Sequence, residues 1–497
     1  MSIIRASDIQ QTDSVAAKRL VKQSDKQIRR GNLPEAEKLL RLAVSESPDD
    51  SNIKLRLALV CVKQRHLREA YDTSFEIARN EPQSSFAFAV LGTTLLNAGR
   101  FAEARPVLFT SLKIDRSEGL AWAGLGMLEF YENNIEESVL DLRQAVYLEP
   151  NDADYYFVFA QVSARAEHYK DAADAYMKFL ELSQAADDDR RERIRGLISF
   201  LHYLGERPSL YETAGESRTD VKFELAVDRP VIRLKVNDRD QPMRFVLDTG
   251  SGISVISDKT AALLHIKPIS RGGFAKGIGG SGRFAIVYGF LRQVQIGGVK
   301  MRNVPVYIRK FQGDGDGQQV DGYIGLSLIS KFLTTIDYGT NTFSLAKKDL
   351  TVANADDDAI SLPLRLTSSG FLSGEVQLEG IQSPLNFIVD TGASVSVISD
   401  DVARLETITP FILDGRVRVI GSAGITDDVR SYLLPKVSFG KHSCSSVTAI
   451  ALDLDMINEA SGFEQAGILG GNFLKNYRMT FDFKNSRVIF VPVDRAP

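Results

Sequence analysis

Two thirteen-residue segments carry the residues best placed to do chemistry: FVLDTGSGISVIS at 245–257 and FIVDTGASVSVIS at 387–399. They are offset by 142 residues and identical at eight of thirteen positions, Asp-Thr-Gly among them. In each, an aspartate ends an apolar strand, where an unpaired buried carboxylate is costly. Two such aspartates, Asp248 and Asp390, escape that cost if symmetry brings them together to share one proton. A pair in that state can hold a water: one carboxylate is the general base on it, while the protonated partner polarises a carbonyl. The apparent pKa values then belong to the pair. Such hydrolysis needs neither metal nor thiol.

The neighbours of the two aspartates differ in a useful way. Gly250 and Gly392 leave room for the two loops to approach closely. Ser251 can donate to the carboxylate of Asp248, whereas its counterpart Ala393 cannot. The expectation is that Asp248 is the more readily ionised member.

The elements that must position these residues are also written twice. The 142-residue offset carries IGGSG (278–282) onto IGSAG (420–424). At an offset of 145, GYIGLSLISKF (322–332) matches GILGGNFLKNY (467–477), and IDYGTNTFSL (336–345) matches FDFKNSRVIF (481–490). Each copy reads as an apolar strand into Asp-Thr-Gly, a β-branched segment, and a short helix opened at Ser257-Asp258 or Ser399-Asp400. A glycine-rich hairpin, further strands and an apolar-Gly segment follow.

On these residues the stretch from about 221 to 493 resembles the aspartic peptidase superfamily, pepsin-like in carrying both lobes on one chain and closest to the retropepsin-like bacterial branch. The resemblance implies an all-β two-lobed fold with Asp248 and Asp390 as catalytic residues and no cofactor or metal. It also implies that Thr249 and Thr391 interlock the two active loops, supported by Gly250, Ser251, Gly392 and Ala393. Gly277, Ile278, Gly279 and Gly280 in one hairpin, and Gly421, Ser422 and Gly424 in the other, resemble paired flaps.

The amino-terminal half repeats at a shorter period. Pro48, Pro82 and Pro150 are spaced by 34 and by twice 34, with Arg116 in the intermediate register. Ala36, Ala70, Ala104, Ser138 and Ala172 hold one register as small residues; Gly31 and Gly99 share another, as do Leu91-Gly92 and Leu125-Gly126, and Trp122 fills an aromatic slot. Antiparallel helices pack closely only where small residues meet, and a proline after the second helix ends it. Residues from about 16 to 185 thus resemble the tetratricopeptide repeat (TPR) family in about five copies, with 191–205 expected as a terminal capping helix. The resemblance implies an all-α solenoid whose concave groove binds a peptide or protein partner.

Composition narrows the chemistry further. The 497 residues include 60 Lys+Arg against 64 Asp+Glu, a net charge of −4, which gives no basic field for nucleic acid. Cys61 and Cys444 lie far apart and His66, His168, His202, His265 and His442 are scattered, so no metal site is expected. The loop at 313–322 resembles a calcium loop but has Gly325 where a bidentate glutamate is required. No signal-peptide core and no apolar run of membrane-spanning length is present, so a cytoplasmic location is expected, or a periplasmic one if the true start lies upstream.

The expected organisation is an extension (1–15), helical repeats with a cap (16–205), a linker (206–220), lobe 1 (221–346), a second linker (347–361) and lobe 2 (362–497). The function expected is an aspartic endopeptidase acting on protein or peptide substrates, with the repeats recruiting substrate or a partner. The alternative is a non-catalytic TPR adaptor whose β domain binds peptides without cleaving them.

Overall fold

A computed structural model describes residues 6–183, 188–207, 209–277, 283–311, 319–350 and 358–493. The flap positions 278–280, residues 313–318 of the loop at 313–322 and residues 351–357 of the second expected linker lie outside the described residues. The chain divides into two compact units: Met1–Phe130 with Asn134–Arg191, and Tyr131–Asn133 with Glu192–Pro497.

The first unit is a tandem array of helix pairs. Second helices begin at Leu33, Leu67, Phe101, Ile135 and Tyr169, and the following first helices at Ser51, Ser85, Gly119 and Ala153, each 34 residues after the last. The residue two before each second helix, at 31, 65, 99, 133 and 167, has positive φ, a left-handed turn that closes the helix pair. Ala36, Ala70, Ala104, Ser138 and Ala172 are fully buried, which lets the axes cross closely. A side chain at Gly92 would meet Leu108, and one at Gly126 would meet Leu142, the same approach one repeat later. Asp50, Ser84 and Asp152 cap the first helices by accepting from Ile53 N, Ala87 N, and Asp154 N with Tyr155 N. The opening helix runs Ala6–Arg29, so residues 6–15 of the expected extension are helical.

The helix Asp188–Gly205 departs from the expected repeat cap. From Glu192 onward it belongs to the second unit, where it packs on the strands Ser270–Lys276 and Arg283–Ile296. Phe200 stacks on Tyr288 with ring centroids 4.5 Å apart, and Tyr203 meets Phe290 edge-on at 5.6 Å. Ser270 Oγ donates to the Gly196 carbonyl at 2.8 Å, and Arg193 donates to the Phe274 carbonyl at 2.9 Å. A side chain at position 196 would run into the Arg271 backbone. The aromatic and small residues on this face answer to the β surface, a pairing that the repeat register does not reveal.

Within the second unit two β lobes share one strand order. Neighbouring strands of lobe 1 are Met243–Leu247, Gly322–Ile324, Val255–Ser257, Val299–Arg309 and Arg283–Ile296. Their counterparts in lobe 2 are Leu385–Val389, Gly467–Leu469, Ser396–Ser399, His442–Leu452 and Ser431–Phe439. The lobes join where Leu333–Asp337 pairs antiparallel with Tyr477–Asp482. There the hydroxyls of Thr335 and Thr480, 145 residues apart, hydrogen-bond at 2.9 Å. One apolar core runs through both lobes, with Phe245, Phe343, Phe387, Phe473 and Phe481 among its fully buried members. The stretch expected as a linker at 206–220 contains the short strand Glu212–Gly215, which pairs with Val299–Arg302.

Candidate active site

Each lobe aims its Asp-Thr-Gly loop by the same local device. In lobe 1 the strand Met243–Leu247 runs parallel to Gly322–Ile324, and Asp248 N donates to the Ile324 carbonyl at 2.9 Å. In lobe 2 Leu385–Val389 runs parallel to Gly467–Leu469, and Asp390 N donates to the Leu469 carbonyl at 3.0 Å. On its other side each strand pairs antiparallel, with Arg229–Val236 in lobe 1 and Leu372–Leu378 in lobe 2, and the aspartate follows the strand's last residue.

The two loops then lock together. Thr391 Oγ1 accepts from Thr249 N at 3.1 Å and donates to the Leu247 carbonyl at 2.7 Å. Reciprocally, Thr249 Oγ1 accepts from Thr391 N at 3.0 Å and donates to the Val389 carbonyl at 2.6 Å. Both threonines are fully buried, so these bonds form without competition from water. A side chain at Gly250 would strike the Asp390 carboxyl, and one at Gly392 would meet Asp248. The glycines are therefore required by the close approach.

The carboxyls face and hydrogen-bond each other while staying partly open to solvent. Burial, then the charge of Asp390 and the hydrogen bond to it, hold Asp248 well above the ordinary carboxylate range. The Arg309 charge and the Gly250 amide oppose that rise. Asp390 is also raised, by burial, but more donors act against it. Gly392 N donates to its Oδ1 at 2.7 Å and Ala393 N at 3.2 Å, with Asp248 and the Gly250 amide adding further bonds. Asp248 has Gly250 N at 3.0 Å. Both carboxyls are thus raised and titrate as a pair, with more backbone donors on the Asp390 side.

The side-chain donor expected for Asp248 is engaged elsewhere. The Ser251 hydroxyl donates to the Ile253 carbonyl at 3.2 Å and does not reach Asp248. The stabilising donors are backbone amides, which side-chain identity does not announce.

The hairpin of lobe 2, Val417–Gly421 with Gly424–Val429, is a separate two-stranded sheet with largely exposed faces. The hairpin of lobe 1 continues its main sheet, pairing Ser270–Lys276 with Arg283–Tyr288. A side chain at Gly277 would run into Ser422, so the two hairpins meet near their tips.

Two features escaped the sequence. Arg309 ends the strand Val299–Arg309, where it pairs in register with Ser257, and its charge acts on Asp248. In the helical array Glu37, Cys61 and His66 bring ligand atoms within 4.8 Å of one another, a grouping not expected from their spacing. The Glu37 carboxylate there accepts from Arg41 and Gln64, and burial pushes the Cys61 thiol up to about 11. Both facts work against a thiolate–carboxylate ligand set. Among the described residues no helix is long and apolar enough to cross a membrane.

Among solved structures, several are similar to about a third of this chain. A thermophilic TPR protein, TTC0263 of Thermus thermophilus, is 18% identical, with a TM-score of 0.32 over 37% of this chain and 99% of its own. MamA from Desulfovibrio magneticus RS-1 is 21% identical, with a TM-score of 0.24 over 35% of this chain and 97% of its own. PilF of Pseudomonas aeruginosa is 15% identical, with a TM-score of 0.28 over 39% of this chain and 86% of its own. Among curated proteins no match was found. In the β half, the segments that build the paired Asp-Thr-Gly loops, residues 232–328 and 374–473, match the aspartyl protease family.

Proposed function

We propose that the protein is an aspartic endopeptidase in which Asp390 is the general base and Asp248 the general acid. The observation that carries this reading is the reciprocal Thr249–Thr391 lock, which holds two aspartates from separate lobes carboxyl to carboxyl. Asp390, stabilised as the anion by amide donors, takes a proton from a water as that water attacks the scissile carbonyl carbon. Asp248, protonated by burial and by its charged partner, donates a hydrogen bond to the carbonyl oxygen and stabilises its developing charge. The tetrahedral intermediate collapses as a proton passes to the departing amine nitrogen, which breaks the C–N bond.

An extended peptide fits the two-lobed frame, with the hairpins ending at Gly277 and at Gly421 acting as flaps over it. The helical array supplies a protein-binding groove that recruits substrate or a partner. The test is cleavage of an unstructured protein across pH by wild type, Asp248→Asn and Asp390→Asn. Loss of a general acid or base costs about 10²- to 10⁴-fold, so both variants should fall to near background. Turnover that survives both substitutions rules out the dyad, and a silent wild type points to peptide binding without cleavage.

A further inference from the structure

The two sides of the dyad are chemically unlike. On the lobe 2 side the strand His442–Leu452 pairs in parallel with Ser396–Ser399, placing Leu452 opposite Ser399. Leu452 joins Ile388, Val397, Val429, Leu454 and Ile468 in an apolar cluster, with Ala393, Val395 and Val419 packed against it. Ala393 adjoins the Asp390 loop and Val419 lies on the hairpin, so this cluster runs from the dyad to the flap.

In lobe 1 the equivalent register, opposite Ser257, is Arg309. Its guanidinium carbon lies 5.4 Å from the ring centroid of Phe284, 5.6 Å from Phe311 and 5.9 Å from Tyr323. Phe284 stands on the lobe 1 hairpin, and Tyr323 on the strand beside Asp248. The aromatic faces hold the cation in place without supplying hydrogen-bond acceptors to its edge. Among the described residues Arg309 Nε, which is buried, has no hydrogen-bond partner and the side chain forms no ion pair. A buried guanidinium donor left unpaired is costly, and a planar donor fork is shaped to accept a carboxylate.

We propose that Arg309 is a specificity-determining residue that reads a glutamate or aspartate side chain on one side of the scissile bond, while the Leu452 cluster takes an apolar side chain on the other. The substrate class is an extended peptide with an acidic and an apolar residue flanking the cleaved bond. This rests on the proposed dyad for its cleavage readout, but the selection itself is a binding property.

The test uses the full chain and an extended eight-residue peptide with one glutamate beside an apolar residue, against its glutamine analogue. The readouts are the ratio of kcat/KM values for cleavage and the ratio of Kd values for binding to Asp248→Asn. Both peptides meet the same dyad, so any effect of the Arg309 charge on Asp248 cancels in each ratio. Wild type should favour the glutamate peptide by about 10- to 100-fold, as expected for one charge-assisted pair. In Arg309→Leu, the lobe 2 residue in that register, the ratio should fall to near one; in Arg309→Glu, preference should turn to a lysine peptide. A merely structural arginine would not produce that reversal. Cleavage with no acidic preference in wild type, or a preference unchanged in Arg309→Leu, overturns the assignment. Selective binding without turnover supports Arg309 and removes the endopeptidase reading.

Discussion

Replacing Thr249 by valine tests whether the two lobes are held as one site by the threonine lock. Valine keeps the shape of threonine, so what is lost is hydrogen bonding. The Val389 carbonyl loses its donor and Thr391 N loses its acceptor, both buried. Each orphaned group costs about 1–3 kcal/mol, so the substitution should cost roughly 2–6 kcal/mol. Against a total stability of about 5–15 kcal/mol, that is enough to open the loops locally. Thr391→Val orphans a different pair, Thr249 N and the Leu247 carbonyl. Because all four bonds hold one interface, the double variant should cost less than the sum of the single ones. Hydrogen exchange of peptides spanning 245–252 and 387–394 measures the loop opening directly. Trp122, the sole tryptophan, lies in the helical array, so its fluorescence should not respond. A loop-opening free energy shifted by less than about 0.5 kcal/mol in Thr249→Val, the scale of an unconstrained surface change, would refute the reasoning.

Three further outcomes follow from the same geometry. Ser251→Ala should leave the acidic limb of the pH–rate profile unmoved, since the hydroxyl serves Ile253; a shifted limb would restore the serine as a donor to Asp248. Asp248 is raised in the folded protein, so its contribution to stability is present below the ordinary carboxylate range and lost as pH rises through the folded value. Asp248→Asn should therefore raise the melting temperature at neutral pH with a gain that shrinks in acid, and an equal gain at both pH values would count against the burial argument. Gly196→Ala, which in an ordinary helix gains about 0.5–1 kcal/mol, should here destabilise by about 1–3 kcal/mol, because the new methyl meets the Arg271 backbone. Urea melts monitored by near-ultraviolet circular dichroism would decide the sign.

Much of the architecture was readable because it is repeated. A period of 34 exposes small residues at Ala36, Ala70, Ala104, Ser138 and Ala172, each buried at a helix crossing. An offset of 142 picks out Asp248 and Asp390 from 64 acidic residues. Repetition is legible because each copy solves the same local packing problem with the same residue types.

Other features rest on contacts that no sequence spacing encodes. The hydrogen bonding at Asp390 comes from backbone amides at Gly392 and Ala393, groups every residue but proline carries, while the Ser251 hydroxyl turns to Ile253. The helix at Asp188–Gly205 answers to strands some 80 residues onward, and its aromatic face resembles any amphipathic helix until its partner is known. Arg309 looks like an ordinary strand-end charge until parallel pairing sets it opposite Ser257. The sequence alone thus determined two repeat systems and one pair of aspartates. Tertiary structure decided which backbone amides meet each aspartate, what the last helix packs on, and where Arg309 stands. Those depend on strand register and burial, which arise only once distant segments meet.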